Sequence, residues 1–237
     1  MPGQCTTHFG LRGRALYIIV SKKLLPITTL SGDEFLAAWW QVVLCHYVLW
    51  QHGVRHRDAS PSNLKVYKTS DGRYIGVLND YDLSSTQGTP TGNFERTGTV
   101  PFMAIDLLSP AAIAGQVEHL YRHDAESLVW VLAWICMRYE KVVLLREGRP
   151  LDDWLRVNAL RCAEKKSDFL LRIQTDDPFI QPTSSHQDNW DVALSCLDSI
   201  IAMRSTLSKR AKVKVVLDDN SAFQTLLKAN VPSWLHT

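Results

Sequence analysis

Apolar positions occur in short runs near the start of the chain and at helical spacing in the rest. The β-branched and aromatic run at 14–20 predicts a strand. Two similar runs, at 64–67 and 74–78, flank Asp71 and Gly72, a pair typical of tight turns, and therefore predict a β-hairpin. Together with the helical segments that follow, these runs predict an α+β fold that is mostly α-helical.

The first predicted helix begins at Ser31, which has the Ser-x-x-Glu spacing of a capping box with Glu34. It should end near Gln51, because Gly53 suits the left-handed conformation that commonly terminates helices. The segment 127–137 is apolar on all sides, which is typical of a helix in the centre of a domain. Further helices are predicted at 151–173 (one or two helices), at 190–207, and at 221–229 before Pro232.

Composition narrows the class of protein. Hydrophobic residues make up 46% of the 237 residues and charged residues 21%, which indicates a soluble globular chain. A net charge of +2 gives no reason to expect a nucleic-acid partner. The five cysteines never form a Cys-x-x-Cys pair, which argues against a zinc site or a disulfide framework. The polar stretch 1–8 is unlike a signal peptide. No uninterrupted apolar segment is long enough to span a membrane. We therefore expect an intracellular protein of the cytoplasm or nucleus, with reduced thiols and no membrane partner.

Four motifs follow one another along the chain: His56-Arg57-Asp58 with Asn63, Asp80-Tyr81-Asp82, Gly98 to Asp106, and Arg122-His123-Asp124. In this order they resemble the catalytic loop, the metal-binding motif, the end of the activation segment and the start of the central helix of protein kinases. The fuller patterns His-Arg-Asp-x-Ser-Pro-Ser-Asn, Asn-Asp-Tyr-Asp-Leu and His-Asp-x-Glu-Ser resemble the fungal-type protein kinase family. The resemblance implies a protein kinase-like fold, represented mainly by its helical C-lobe with a small β-hairpin.

The resemblance implies a catalytic role for three of these residues. Asp58 would orient the attacking hydroxyl and accept its proton, whereas Asn63 and Asp80 would bind Mg²⁺ and, through it, the phosphates of ATP. The predicted hairpin supports this assignment, because it should bring Asn63 and Asp80 to one edge where both can hold the same ions. ATP and Mg²⁺ are thus the implied cofactors.

Arg57 and Ser60 are candidate catalytic residues together with Asp58, and other matched residues would support the site. Arg57 is implied to pair with a phosphorylated activation loop, since its planar guanidinium matches a phosphate group. Thr99 is expected to brace Asp58 by a hydrogen bond, and His56 is assigned structural support. Asp124 would hold the backbone of the catalytic loop; a simple helix N-cap is the alternative interpretation.

Three positions depart from the kinase pattern. Ser60 stands where serine/threonine kinases place a lysine, so some charge stabilisation in the transition state is lost, although its hydroxyl could still donate a hydrogen bond. Asp82 replaces a glycine and is a further candidate metal ligand, as in small-molecule kinases related to the choline and aminoglycoside enzymes. Asp106 replaces a glutamate, and its shorter side chain is expected to pair less well with an arginine.

The resemblance also implies an N-lobe, which binds ATP through a Gly-rich loop, a strand lysine and a helix glutamate. Only 32 residues precede Asp33, too few for five strands of about 5–6 residues and a helix of about 11. We therefore predict that 1–30 is a remnant of the N-lobe and hinge. The C-lobe would occupy 31–237, with the catalytic loop at 56–63 and the activation segment at 80–106. This chain alone is expected to bind ATP weakly.

Three functions remain open at this stage. The first is ATP-dependent phosphoryl transfer to protein hydroxyls, with serine and threonine favoured. The second is a catalytically dead pseudokinase that acts as a scaffold, and the third is a small-molecule kinase of the choline or aminoglycoside type. The sequence indicates neither the protein substrate nor the oligomeric state.

Three further sequence features are weak candidates for metal binding, cellular localisation or phosphorylation. His119 and His123 have the spacing of a zinc pair, but no third ligand is evident, so solvent-facing or capping histidines are favoured. The basic run at 209–214 has the composition of a localisation signal, although a solvated helix end is commoner. Candidate phosphorylation sites lie in the activation segment, at Thr89, Thr91, Thr97 and Thr99.

Overall fold

The computed structural model describes residues 23–82, 84–86, 98–207 and 217–236. Within these residues the fold is mixed α/β and mostly helical, as the sequence pattern predicts. The α-helices are α1 (Gly32–Gln51), α2 (Pro110–Ile113), α3 (Tyr121–Arg138), α4 (Ala159–Gln174), α5 (Gln187–Leu207) and α6 (Asp219–Leu226). The strands are β1 (Leu25–Pro26), β2 (Val54–Arg55), β3 (Leu64–Lys68), β4 (Tyr74–Leu78), β5 (Ser85–Thr86), β6 (Tyr139–Glu140) and β7 (Val143–Leu144).

Short 3₁₀ helices connect several of these elements. They span Ile27–Thr29, Ile105–Leu108, Asp152–Leu155, Ser184–His186, Lys228–Asn230 and Ser233–His236. The segment predicted at 151–173 is therefore one 3₁₀ turn followed by α4, and the last predicted helix is α6 followed by a further 3₁₀ turn. The strand predicted at 14–20 lies outside the described residues.

Helix α3 forms the centre of the hydrophobic core. Every residue of α3 except Arg122 is buried, which confirms the prediction made from its apolar sequence. Helices α1, α5 and α6 pack around it. The indole of Trp39 in α1 donates a hydrogen bond to the backbone oxygen of Leu128 at 3.1 Å, so a polar atom of a buried side chain also finds its partner on α3.

Helix α1 begins and ends close to the predicted positions. Ser31 is its N-cap residue, but the serine side chain makes no capping hydrogen bond, so the predicted capping box does not form. Gly32, the first residue of α1, has a φ of 55° and turns the chain where the helix starts. At the other end Gly53 has a φ of 79°, the left-handed conformation that the sequence predicted there.

The predicted hairpin is formed by β3 and β4. They pair antiparallel with Leu64 opposite Leu78, and β1 adds a third strand beside β3. Strand β4 lies against α1, and the backbone N–H of Gly76 donates to Oε1 of Gln41 at 2.7 Å. This register fixes which residues meet where the hairpin opens.

Replacing Gly76 with alanine should destabilise the protein because β4 approaches α1 too closely there for a side chain. A Cβ atom at Gly76 would lie 2.2 Å from the backbone oxygen of Ala38. Helix and strand must then move apart, at a cost of about 1–3 kcal/mol in the free energy of unfolding. Urea denaturation measures this cost, with Lys68→Ala as the control because Lys68 is the exposed last residue of β3. Equal stability of the two variants would contradict the packing.

The predictions that the chain has no membrane-spanning helix and that its thiols are reduced can be compared with the described residues. No helix in the described ranges is long and apolar enough to cross a membrane. The cysteines within these ranges, at positions 45, 136, 162 and 196, are free thiols. The cytoplasmic or nuclear location stays a prediction.

Candidate functional site

The loop 56–63 connects β2 to β3 and carries most of the predicted site residues. A turn closes it, since the backbone N–H of Asn63 donates to the oxygen of Ser60 at 2.9 Å. Arg57 has a φ of 71°, which is costly for a residue with a side chain. Its N–H points to the carboxylate of Asp124 in α3, at 3.4 Å. The central helix thus contacts the loop at its strained residue.

Both carboxylate oxygens of Asp58 are held by donors. Oδ1 accepts hydrogen bonds from the backbone N–H and the hydroxyl of Thr99, both at 2.8 Å. Oδ2 accepts from the side-chain amide of Asn63 at 3.1 Å. A carboxylate fixed in this way has one orientation and retains one free lone pair, on Oδ2, with which to accept a proton. Asp58, Asn63 and Thr99 therefore form one hydrogen-bonded cluster.

Asn63 and Asp80 lie at the same edge of the hairpin. The amide nitrogen of Asn63 donates to the backbone oxygen of Asp58 at 2.9 Å, so its side-chain oxygen turns the other way. The backbone oxygen of Asn63 accepts from the N–H of Asn79 at 2.9 Å, and Asp80 is the next residue. The sequence-based expectation that the hairpin brings these two positions together agrees with this geometry.

The donor set at this edge fits Mg²⁺. Asp80 is exposed, with a φ of 65°, and among the residues that the structure describes only one of its oxygens has a partner, the N–H of Asp82 at 3.4 Å. Mg²⁺ prefers oxygen ligands, takes one or two from the protein and completes its shell with water and phosphate. The amide oxygen of Asn63 and the carboxylate of Asp80 would supply those ligands. No group of three or more His, Cys, Asp or Glu within the described ranges offers another metal site.

His56 joins the loop to the segment that carries Asp80. Its Nε2–H donates to the backbone oxygen of Asn79 at 2.9 Å, and Nδ1 accepts from the N–H of Asp58 at 3.3 Å. Burial lowers the pKa of His56, which favours the neutral ring that these two bonds require. The ring of Tyr81 packs edge-on against it, with centroids 4.9 Å apart. His56 therefore fixes the relative position of Asp58 and Asp80.

Asp124 is buried between two histidines. Its Oδ1 accepts from Nε2 of His119 at 2.6 Å, and Oδ2 accepts from Nε2 of His46 at 2.9 Å. Burial by itself would raise the pKa of Asp124, but the interactions with His119 and His46 outweigh it and hold the pKa well below its usual range. The carboxylate is therefore an anion that contacts the catalytic-loop backbone at Arg57.

Two sequence interpretations of this region are corrected. Asp124 is not a helix N-cap, because Leu120 occupies that position of α3. His119 and His123 are buried rather than solvent-facing, and His119 bonds to Asp124. His123 does cap α3, as the alternative interpretation predicted, because its Nδ1 accepts a hydrogen bond from the N–H of the N-cap residue Leu120. His46 was missed, because a single histidine within an apolar helix carries no sequence signal of its partner.

The segment Gly98–Asp106, called the closing segment, ends in an ion-pair cluster. Asp106 contacts Arg204 of α5 at 3.1 Å and Arg122 of α3 at 3.3 Å. The shorter side chain therefore reaches two arginine partners. The candidate phosphorylation sites Thr89, Thr91 and Thr97 and the basic run 209–214 lie outside the described residues.

The remaining predicted residues sit within or beside the loop. Ser60 is buried and its hydroxyl hydrogen-bonds to that of Ser62 at 2.8 Å, so the position offers a paired hydroxyl rather than a cation. The side chain of Arg57 is buried. Asp82 is exposed beside Asp80. Phosphate pairing by Arg57 and metal binding by Asp82 stay predictions.

Comparison with known proteins agrees with this geometry. No curated protein matches the chain. A sequence model of the family described as "Fungal protein kinase" matches residues 14–136, which is 123 of the 237 residues (136 − 14 + 1). The match covers the loop 56–63, Asp80, the closing segment and most of α3. Because the match covers more than half of the sequence, the chain belongs to the fungal protein kinase family.

Proposed function

We propose that this chain forms the catalytic lobe of a protein kinase, which transfers the γ-phosphoryl group of ATP to serine or threonine hydroxyls of a protein substrate. The observation that carries this proposal is the cluster around Asp58. One carboxylate contacts both the amide of Asn63 and the closing segment at Thr99. The family membership supports the same reaction class.

Asp58 would act on the substrate hydroxyl. Its fixed carboxylate orients the O–H for attack and accepts the proton as the new O–P bond forms and the bond to the leaving diphosphate breaks. Bound Mg²⁺ would supply positive charge to the phosphate oxygens. Asn63 and Asp80 would hold the metal ion there, and His56 would keep the two sides of the site in register. Phosphoryl transfer relies on this positioning rather than on a covalent enzyme intermediate.

Ser60 is the main difference from serine/threonine kinases that carry a lysine at this position. A cation near the transferred phosphoryl group stabilises the charge that develops there. The buried Ser60 hydroxyl is already paired with Ser62 and supplies no positive charge. We therefore expect slow turnover, and a scaffold without transfer activity is the competing function.

Phosphate transfer tests the proposal directly. The full chain is incubated with Mg²⁺, γ-³²P-labelled ATP and a generic protein acceptor, in parallel with choline-like and aminoglycoside acceptors. We expect Mg²⁺-dependent label on the protein acceptor alone. Label on the small molecules alone would indicate a small-molecule kinase, and background label in every reaction would indicate a scaffold.

The variant Asp80→Asn should lower the transfer rate by at least about a hundredfold, because metal-borne charge stabilisation is worth several kcal/mol. Parallel initial-rate measurements at saturating Mg²⁺ check this loss. Asp198→Asn is the matched control, since Asp198 is exposed on α5 and has no ion pair among the described residues. Equal rates for the two variants would show that Asp80 does not bind the metal ion.

A further inference from the structure

Lys166 of α4 is a fully buried lysine outside the site described above. Its Nζ donates to the backbone oxygen of Met103 at 2.5 Å. The ring centroids of Trp130 and Trp154 lie 4.6 and 5.5 Å from Nζ, within the range of cation–π interactions. Lysine is almost never fully buried unless it is paired, because an ammonium group is costly to remove from water. The contacts of Lys166 therefore call for a structural explanation.

Glu126 of α3 is a second fully buried ionisable side chain in this region. Its Oε1 accepts hydrogen bonds from the backbone N–H of Ile105 at 2.9 Å and from the indole N–H of Trp130 at 3.0 Å. Burial raises the pKa of Glu126, while Lys166 acts in the opposite direction. Burial likewise lowers the pKa of Lys166 to about 7, against the influence of Cys162 and Glu126. Each of the two groups therefore influences the pKa of the other within the core.

Lys166 and Glu126 bind the closing segment only two residues apart. Lys166 satisfies the oxygen of Met103, and Glu126 satisfies the N–H of Ile105. This part of the chain belongs to no strand, so its buried backbone groups have no ladder partners and need side chains instead. An apolar pair of similar volume would fill the space but would leave both groups unpaired.

Hydrogen bonds connect Met103 to Asp58. The N–H groups of Phe102 and Met103 donate to the oxygen of Thr99, at 2.9 and 3.2 Å. Thr99 in turn donates to Oδ1 of Asp58 through both its backbone N–H and its hydroxyl, at 2.8 Å each. A single turn of backbone therefore separates the buried lysine from the residue that orients the proposed base.

We propose that Lys166 and Glu126 are positioning residues, which fix the backbone at Met103 and Ile105 and thereby hold Thr99 against Asp58. Neither side chain contacts the reacting atoms. The catalytic consequence rests on the proposed kinase function, whereas the structural consequence does not. Loss of the lysine should release Thr99 and leave the Asp58 carboxylate without two of its three hydrogen-bond donors.

Amide hydrogen exchange tests the structural consequence without any need for activity. In Lys166→Met the exchange rates at Thr99 and Met103 should rise about tenfold or more, the factor that corresponds to the loss of one buried hydrogen bond. Amides of α3 that exchange by global unfolding provide the internal reference. Lys165→Met is the matched control, because Lys165 is the adjacent residue and pairs with Asp153 at the surface.

The double variant Lys166→Met/Glu126→Gln covers the case in which the single variant does not fold. It leaves no uncompensated charge in the core, and the glutamine oxygen can still accept from Ile105 and Trp130. We expect native stability of α3 but rapid exchange at Thr99. Exchange at Thr99 equal to that of Lys165→Met, in the single or the double variant, would overturn the proposal.

Kinetics test the catalytic consequence in the same variants. If Thr99 orients Asp58, kcat should fall about tenfold while KM for ATP stays within about twofold, since only the transition-state geometry is lost. A rise in KM with kcat unchanged would overturn the positioning role. If the wild-type chain transfers no phosphate, the kinase function fails, and the exchange experiment still decides whether Lys166 holds Thr99.

Discussion

Asp58→Asn is expected to lower kcat by about 10²–10⁴-fold, the range contributed by a positioned general base. Asparagine has the size of aspartate but accepts no proton from the attacking hydroxyl. The substitution also disturbs the cluster. In the wild-type protein Oδ1 accepts from Thr99 and Oδ2 accepts from Asn63, but asparagine replaces one of these oxygens with an NH₂ group, which would face another donor. Initial rates of γ-phosphate transfer at saturating ATP and acceptor measure the loss.

The control for this prediction is Asp198→Asn, which makes the same chemical change on the exposed surface of α5. Its rate should equal that of the wild-type protein. A wild-type rate well above background with an unchanged rate in Asp58→Asn would show that another group accepts the proton. Circular dichroism of both variants ensures that a lost fold does not account for a lost rate.

The hairpin explains why the sequence could predict the edge of the site. A run of alternating residues, a tight turn and a second run specify an antiparallel pair, and Leu64 does lie opposite Leu78. The residues just outside that pair, Asn63 and Asn79, must then be neighbours, which places Asp80 beside them. Local spacing was sufficient here because the two strands are joined by a short turn.

The surroundings of Asp124 and Lys166 could not be predicted in the same way. His46 precedes Asp124 by 78 residues, so their contact depends on how α1 packs against α3. Lys166 has the sequence context of a polar residue on an amphipathic helix, and its burial depends on Trp130 and Trp154 from other elements. Tertiary packing decides which polar residues are buried. Local sequence motifs cannot predict it, because the contacting residues are far apart along the chain.

The buried Asp124 cluster shows how helix α3 supports the loop 56–63. Arg57 adopts a left-handed backbone conformation that such a residue rarely takes unless its surroundings enforce it. The Asp124 carboxylate accepts from the N–H of this residue, and the two histidines keep the carboxylate in place. A rigid helix thus determines the backbone conformation from which Asp58 projects.

Asp124→Ala should therefore lower the free energy of unfolding by about 3–5 kcal/mol, the usual cost of removing one partner from a buried charged cluster. The substitution leaves His46, His119 and the N–H of Arg57 without their acceptor in the core. For a chain of this size the loss corresponds to a fall in Tm of roughly 10 °C. Urea denaturation followed by tryptophan fluorescence measures it.

The dependence on pH has a definite sign. Because the pKa of Asp124 is lowered in the folded protein, its ionised form adds stability above the ordinary carboxyl pKa of 3.8, and this contribution disappears as the pH falls through the lowered pKa.

The exposed substitution Asp198→Ala should change stability by no more than about 0.5 kcal/mol. Equal unfolding curves for Asp124→Ala and Asp198→Ala at neutral pH would show that the helix does not hold the loop through this carboxylate.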